Sequence, residues 1–373
     1  MKIGILTLPF NNNYGGYLQA YALMATLKGM GHSVTLINRM HRRRPFFMRF
    51  RHFLKSFAYT IIGHKHKRLL MSQQSELRER GEYMMPFVDR FIHPKTSPLF
   101  NTFEMKLLTS FRFDAIVVGS DQVWRPDYVP SITNYYLDFA GSETRKISYA
   151  ASFGKENPYY SDSQLKKCKR LIEKFDFVSL REKSGIDILN RWNINLKSEA
   201  CVVLDPTLLL PREHYINLFS NTCSQSKTKA FVYVLDESET SSSIIKTLCS
   251  EKKIEPFHII DVKEWKSYSY KMPSIEAWLR NLFDSDFVIT DSFHGTVFSI
   301  LFNKPFYVCL NEHRGASRFI SLLETFGLTE RIVKSSNDAM IISKSSINWE
   351  RVNTILDEKR KESMNFLYKS LKP

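Results

Sequence analysis

The sequence predicts an α/β protein of two doubly wound domains that face each other across a cleft. Three observations support this fold class. The chain has 373 residues, which is long enough for two ordinary domains. Short apolar stretches alternate with helical stretches in two successive series, as in parallel sheets joined by crossover helices. A polar stretch at residues 219–228, which contains Asn221, Thr222, Ser224, Gln225 and Ser226, separates the two series as a linker.

The first predicted domain covers residues 1–218 and begins with a strand at 2–8. A helix at 17–30 and a strand at 33–38 complete a strand–helix–strand unit of the parallel, crossover kind. The remaining strands are predicted at 113–118, 146–151, 175–180 and 200–204, with helices around Leu165, Leu171 and Ile172 and at 184–192.

The second predicted domain covers residues 229–345 and repeats the alternation. Its strands are predicted at 230–235, 256–260, 287–290 and 305–309, and its helices at 240–251, 275–284, 295–302 and 318–326. Residues 346–373 carry a charged amphipathic helix at 349–368, which we expect to pack back on the first domain. Ligands of such sheets bind beyond the carboxyl ends of the strands, so the cleft between the domains is the expected site.

The composition favours a cytoplasmic protein. The hydrophobic fraction of 43% and the charged fraction of 24% are typical of a soluble globular chain. The five cysteines are dispersed without metal-ligand or redox spacing, which favours a reducing compartment over a disulfide framework. No stretch reaches the roughly 20 apolar residues of a membrane span. Residues 2–8 are better interpreted as a strand than as a signal peptide.

The net charge of +15 is concentrated in one predicted insert, at about residues 39–75. Twelve Lys and Arg residues precede Glu76, the first acidic residue, and the rest of the chain carries 41 basic against 38 acidic residues. This confinement, and the lack of a recognised motif, argue against a nucleic-acid-binding protein. Residues 39–68 interleave cations with Phe and Leu. That composition fits peripheral contact with an anionic membrane, a protein-docking segment or a solvated helix.

Two polar clusters follow strands of the first domain. Asn13, Tyr14, Gly15 and Gly16 open the first helix, where free backbone N–H groups favour an anion or form a plain tight turn. The second cluster follows the strand at 113–118, and there Asp121 is either a base acting on a substrate hydroxyl or a helix cap. Its predicted substrate-binding members are Ser120, Gln122 and Trp124.

Three further clusters follow later strands. Arg181 suits recognition of a carboxylate or phosphate, and an internal salt bridge to Glu182 or Asp187 is the alternative. His294 stands at the start of a helix as a candidate general acid or as a structural turn residue. Arg314 and Arg318 fit either a phosphate clamp or a solvated loop. The neighbours of His294 that we also predict to bind substrate are Asp291, Ser292, Gly295 and Thr296.

As an ordered set, these segments resemble the polysaccharide pyruvyl transferase family. The resemblance spans nearly the whole chain except the basic insert and the C-terminal helix. The residues that carry it are Asn13 to Gly16 with 18–23, Gly119 to Trp124, Ser148 to Gly154, Ser179 to Glu182, Leu204 to Thr207, Thr290 to Gly295, Asn303 to Phe306 and Asn311 to Arg318.

The resemblance implies two Rossmann-like domains in a GT-B-like arrangement and a pyruvyl transferase that uses phosphoenolpyruvate. Family members attach the pyruvyl group to a sugar as a ketal and release phosphate, and His294 matches the histidine proposed there as the acid. The implied acceptor is a saccharide, and a lipid-linked one would suit the basic segment. No metal or other cofactor is expected.

The chain departs from the family at Ser292, where many members have Arg. The donor then needs other cations, for which Arg181, Arg314 and Arg318 are the candidates. This departure leaves open a different donor or a non-catalytic, anion-binding protein. A nucleotide-sugar-dependent glycosyltransferase is a further alternative, because fold does not fix function.

Overall fold

A computed structural model describes residues 1–41, 73–260, 270–310 and 315–372. Residues 42–72, which make up most of the predicted basic insert, and Arg314 lie outside the described residues. The side chains of residues 73–76 are not described either.

The first domain is built on a six-stranded parallel sheet with the order β2-β1-β3-β4-β5-β6. Strand β3 is buried at every position, as expected for a strand covered by helices on both faces. The strands are β1 Lys2–Leu6, β2 Ser33–Leu36, β3 Ala115–Asp121, β4 Arg145–Ala151, β5 Phe177–Leu180 and β6 Cys201–Val202. The helices are α1 Tyr14–Gly29, α2 Gln73–Arg80, α3 Met85–Phe91, α4 Thr102–Lys106, α5 Asp162–Ile172, α6 Lys183–Arg191 and α7 Arg212–Leu218.

The second domain is built on a five-stranded parallel sheet with the order β11-β10-β9-β7-β8. Its strands are β7 Ala230–Tyr233, β8 Pro256–His258, β9 Phe287–Thr290, β10 Phe306–Cys309 and β11 Ile332–Val333. The helices from here to the C-terminus are α8 Glu239–Lys252, α9 Ile275–Asp284, α10 Phe293–Leu301, α11 Ala316–Phe326, α12 Ser336–Ile342 and α13 Trp349–Leu371. The predicted fold class is confirmed.

Some element boundaries differ from the sequence prediction. Helix α1 begins at Tyr14 and not at residue 17, because the Asn13 side chain accepts a hydrogen bond from the Gly16 N–H and caps the helix there. Strand β11, which is two residues long, was not predicted, because so short a segment has no readable alternation. Helices α2, α3, α4, α7 and α12 were also not predicted.

Helix α13 follows the second domain in the chain but packs on the first. The Leu204 N–H donates to Ser363 Oγ at 3.0 Å, and Arg360 Nε donates to the Leu208 carbonyl at 2.8 Å. The Phe366 ring contacts Tyr149, whose ring centroid lies 6.2 Å away. The helix therefore holds the segment between β6 and α7. None of the helices among the described residues is both long and apolar enough to cross a membrane.

Truncating the buried face of α13 is expected to destabilise the protein. Leu367 is fully buried, so Leu367→Ala should lower the free energy of unfolding by about 2–5 kcal/mol through lost contacts and a cavity. The neighbouring Tyr368 is 57% exposed, and Tyr368→Ala should change it by about 0.5 kcal/mol or less. Denaturant unfolding of both variants provides the measurement, and equal effects would show that the helix does not pack as described.

Candidate functional site

Ionisable side chains from both domains meet at the carboxyl ends of the two sheets. Each is at most 6% exposed, so the cluster is withdrawn from bulk water. Its members are Asp121 at the end of β3, Arg181 and Glu182 after β5, Asp205 after β6, His294 in the first turn of α10 and Arg318 in α11. We call this group the interdomain charge cluster.

Arg181 lies at the centre of the interdomain charge cluster. Its Nη2 contacts Asp121 Oδ1 at 2.9 Å and its Nη1 contacts Asp205 Oδ2 at 3.0 Å. Its Nε lies 3.9 Å from Glu182 Oε2. The Phe293 ring of the second domain covers the guanidinium, with its centroid 4.2 Å from the Arg181 Cζ. The predicted internal salt bridge is therefore present, but its closest partners come from β3 and from the segment after β6.

Asp205 connects Arg181 to His294. Its Oδ1 accepts hydrogen bonds from the backbone N–H and the Oγ1 of Thr207, at 3.1 and 2.8 Å. Its Oδ2 accepts from Arg181 and from Ser120 Oγ, the latter at 3.2 Å, and lies 3.5 Å from His294 Nε2. Burial acts to raise the pKa of this carboxyl, but His294, Arg181 and Thr207 hold it well below its usual range.

Sequence reasoning did not select Asp205 as a site residue. The Asp-Pro-Thr segment carries a visible signal, because an Asp before Pro caps a turn, and the structure has that turn at Pro206–Leu208. The turn explains only the hydrogen bonds that Oδ1 accepts from Thr207. The role of Oδ2 depends on Arg181 and His294, which come from distant parts of the chain.

His294 is held against the first domain by a close backbone approach. A Cβ atom added at Gly15 would lie 2.0 Å from His294 Nδ1, so only glycine leaves room for the imidazole. Ser292 caps α10 by accepting a hydrogen bond from the Gly295 N–H at 3.4 Å. The first turns of α1 and α10 therefore meet at this histidine.

The pKa values of the other two carboxyls of the cluster, Asp121 and Glu182, are shifted in opposite directions. Burial opposes ionisation of Asp121, but Arg181, His294 and Arg318 more than offset it, so its pKa is lowered. Burial raises the pKa of Glu182 above its usual value, although Arg181 opposes the shift. The Arg318 pKa is lowered to about 10 by burial and by the neighbouring Arg181 charge. Groups whose pKa values are pushed apart in one site are typical of acid–base catalysis.

A network of polar side chains fixes the end of β3. The Ser120 N–H donates to Gln19 Oε1 at 3.0 Å, and Gln19 Nε2 donates to Thr7 Oγ1 at 2.8 Å. The Thr7 hydroxyl in turn donates to the Ser120 carbonyl at 3.1 Å. Residues after β1 and in α1 therefore position Asp121, the next residue along β3.

Several residues predicted to bind substrate make structural contacts. Trp124 is fully buried and stacks on Tyr136, with ring centroids 5.2 Å apart. Tyr14 stacks on Trp278 of the second domain at 5.4 Å and donates to the Pro273 carbonyl. Their contacts are those of core and domain-interface residues, so their roles in binding stay predictions.

The remaining predicted residues shape the loops around the cluster. Asp291 accepts hydrogen bonds from the backbone N–H groups of Leu235 and Asp236, at 2.7 and 2.9 Å, and so fixes the loop after β7. Thr296 Oγ1 donates to the Ser292 carbonyl. Gln122 Oε1 accepts from Arg125 Nη1 at 2.9 Å.

The described residues offer cations and proton-transfer groups but no metal centre. Arg181 and Arg318 suit anionic substituents, while His294 and the carboxylates suit proton transfer. Within residues 1–41, 73–260, 270–310 and 315–372, no group of three His, Cys, Asp or Glu side chains is arranged to hold a metal ion.

Comparison with protein families gives a match over most of the chain. The profile of the family described as polysaccharide pyruvyl transferase matches residues 13–313. No curated protein matches the sequence significantly.

Among solved structures, the chain is similar to several nucleotide-sugar enzymes. The UDP co-structure of MnaA from S. aureus is 12% identical with a TM-score of 0.54, over 100% of this chain and 97% of that one. The UDP-GlcNAc 2-epimerase of Methanocaldococcus jannaschii is 11% identical with a TM-score of 0.54, over 99% and 100%. The UDP-N-acetylglucosamine 2-epimerase of Rickettsia bellii is 10% identical with a TM-score of 0.50, over 99% and 96%. At these identities the likeness shows a shared two-domain fold.

Removing the Asp205 charge is expected to destabilise the protein in a pH-dependent way. Asp205→Asn should lower the free energy of unfolding by about 1.5–3 kcal/mol near neutral pH, because charge-assisted hydrogen bonds are lost. The folded-state pKa is depressed, so the carboxylate contributes fully above its unfolded pKa of about 3.9 and less as the pH falls below that value. Denaturant unfolding from pH 3 to 7 should show the difference shrinking below about pH 4.

The exposed Asp127 provides a matched control for this substitution, since its side chain is 64% exposed and lies 4.0 Å from Arg125. Asp127→Asn should change the free energy of unfolding by about 0.5 kcal/mol or less. A penalty for Asp205→Asn that is the same at every pH would contradict the ionised state assigned to Asp205.

Proposed function

The chain belongs to the polysaccharide pyruvyl transferase family, and we propose that it moves the pyruvyl group of phosphoenolpyruvate onto a sugar as a ketal and releases phosphate. One observation supports this proposal above the others. His294 from the second domain meets Asp121 and Arg181 from the first in a buried cluster, which brings a proton-transfer group, a carboxylate and a cation together. These are the groups that the addition of an alcohol to an enol phosphate needs.

The donor would be held by cations from both domains. Phosphoenolpyruvate carries a carboxylate and a phosphate, which Arg181 and Arg318 are suited to bind through charge-assisted hydrogen bonds. Ser292, which replaces the frequent family arginine, is occupied as the cap of α10. We assign part of the missing positive charge to Arg318, which is buried beside Phe293 in the same cluster, with 5.7 Å between its Cζ and the ring centroid. Arg314 stays a candidate from the sequence.

His294 and Asp121 would perform the two proton transfers of the first step. His294 donates a proton to the methylene carbon of the donor, and Asp121 accepts the proton of the attacking sugar hydroxyl. Asp205 contacts the imidazole through Oδ2 and would fix the ring orientation, as carboxylates commonly do for catalytic histidines. Departure of the phosphate would be stabilised by the arginines.

The acceptor would be a precursor of a cell-surface or exopolysaccharide, carried on a lipid at the cytoplasmic face of the membrane. The basic composition of residues 39–68 supports contact with anionic lipid. Among the described residues, Phe103 is 74% exposed and Leu107 is 57% exposed, and Lys106 lies exposed between them. They follow Leu99, whose carbonyl accepts from the Met40 N–H at 2.8 Å, so this apolar surface begins beside the start of the basic segment.

A nucleotide-sugar-dependent transferase is the second candidate. The similar solved structures include MnaA in a co-structure with UDP and a UDP-GlcNAc 2-epimerase, and the structural matches cover nearly the whole of this chain. Fold alone does not carry function, so nucleotides belong in the ligand test. A protein that binds phosphoenolpyruvate without turning it over is the remaining alternative.

Phosphoenolpyruvate is expected to raise the thermal midpoint of the protein, whereas UDP and GDP are not. A ligand at 100 times its dissociation constant adds about 2.7 kcal/mol to the stability of the folded state. Replacing Arg318 with Gln should reduce the stabilisation by phosphoenolpyruvate, because one of the two arginines of the interdomain charge cluster is lost. Stabilisation by UDP alone would reject pyruvyl transfer in favour of the nucleotide-sugar candidate.

His294→Gln should reduce phosphate release and ketal formation by about 100- to 10,000-fold while binding of phosphoenolpyruvate persists. The assay offers a panel of p-nitrophenyl hexosides as acceptors and detects the ketal by mass. His258→Gln, at an exposed histidine of the second domain, is the matched control and should keep full activity. Equal loss in both variants would remove His294 from the proposed mechanism.

Contact with membranes is testable by sedimentation with vesicles. The protein should bind phosphatidylglycerol vesicles and not pure phosphatidylcholine ones, and the double change Phe103→Ser and Leu107→Ser should weaken binding roughly tenfold or more, since apolar area no longer leaves water. Tyr159→Ser, at a side chain that is 79% exposed, provides the control. Equal binding to both vesicle types would exclude the electrostatic contact.

A further inference from the structure

Ketal formation requires more proton transfers than His294 and Asp121 provide. The donor's methylene carbon gains one proton, and each of two sugar hydroxyls loses one as its oxygen bonds to the central carbon. Asp121 accounts for one of these hydroxyl protons. Resting on the proposed function, we propose that Glu182 is the catalytic base that accepts the proton of the second hydroxyl.

The balance of the reaction defines this role. In the first half, His294 gives a proton to the methylene carbon, one sugar oxygen bonds to the central carbon, and its proton goes to Asp121. The bond from the central carbon to the phosphate oxygen then breaks, and the phosphate leaves with the electron pair. In the second half, the other sugar oxygen bonds to the resulting cation and its proton goes to Glu182. Over a complete turnover, the proton on Asp121 returns to His294 through solvent, and the proton on Glu182 passes through solvent to the released phosphate.

Glu182 makes a hydrogen bond through one of its two carboxylate oxygens and none, among the described residues, through the other. Its Oε1 accepts a hydrogen bond from Ser152 Oγ at 2.7 Å, which fixes the carboxyl. Its Oε2 has no hydrogen-bond partner among the described residues and lies 3.9 Å from Arg181 Nε. A buried carboxylate that is fixed through one oxygen and makes no hydrogen bond at the other can accept a proton at that second oxygen.

Asp205 is the competing carboxylate, and its contacts make it a poor base. Both of its oxygens are engaged, Oδ1 by Thr207 and Oδ2 by Arg181 and Ser120. A proton arriving there would have to displace these bonds.

Arg181 separates the two proposed bases. Asp121 contacts Nη2 of the guanidinium and Glu182 faces Nε of the same planar group. The groups that face Glu182 are Arg181, the Ser152 hydroxyl, Arg318 and the Phe153 backbone. Two carboxylates at different edges of one donor-binding cation suit two hydroxyls that attack one carbon in succession.

The test compares Glu182→Gln with the wild-type protein, using phosphoenolpyruvate and a p-nitrophenyl hexoside that the wild type converts. Glutamine keeps the shape and the Ser152 contact but cannot accept the proton. Ketal formation should fall by about 100-fold or more. Water should capture the cation instead, and the resulting hemiketal opens to free pyruvate and unchanged sugar. The ratio of pyruvate, measured with lactate dehydrogenase, to ketal should therefore rise.

Three comparisons make the result specific. Stabilisation by phosphoenolpyruvate should persist in Glu182→Gln, which excludes loss of the donor site. Asp121→Asn should lose phosphate release and pyruvate together, because the first attack is blocked. Glu324→Gln removes a carboxylate that is 47% exposed at the same domain interface, 3.7 Å from Lys183, and should behave as wild type.

Two results would overturn the inference for Glu182. One is an unchanged ratio of pyruvate to ketal in Glu182→Gln, and the other is a loss of phosphate release as complete as in Asp121→Asn. A wild-type protein that releases no phosphate with any hexoside, or is stabilised by UDP and not by phosphoenolpyruvate, would instead reject the proposed function itself.

Discussion

The guanidinium of Arg181 is a buried cation, and the architecture of the site follows from its need for partners. Removing such a charge from water is costly unless carboxylates and hydrogen bonds surround it. Asp121 and Asp205 supply that environment from the ends of β3 and β6, and Phe293 of the second domain closes over the group. Arg181 therefore links the ends of β3, β5 and β6 to one another and to the second domain.

The same arrangement explains why the carboxyls of the site differ. Asp205 is saturated with donors and stays ionised, so it suits the orientation of His294. Glu182 is equally buried but keeps one oxygen without a hydrogen-bond partner among the described residues, and burial raises its pKa. Placing similar groups in dissimilar surroundings is how one site assigns separate proton-transfer roles.

The interdomain charge cluster extends beyond the residues that the family profile matches. The family profile ends at residue 313, whereas Arg318 of α11 belongs to the interdomain charge cluster. Helix α13 also lies outside the profile, and it holds the segment that carries Asp205 through Ser363 and Arg360. The similar epimerase structures share the two-domain fold, and a shared fold does not by itself fix the chemistry.

The sequence by itself determined the fold class and the position of His294, because both depend on local signals. Alternating apolar strands and helices identify parallel sheets, and polar residues after each strand identify the edge where ligands bind. Only the tertiary structure decided which side chains contact one another at the site. Trp124 stands beside the site in sequence but lies in the core, and Asp205, which caps a local turn, reaches Arg181 and His294. Contacts between residues 24 to 89 positions apart depend on how sheets and domains pack, and no local pattern encodes that geometry.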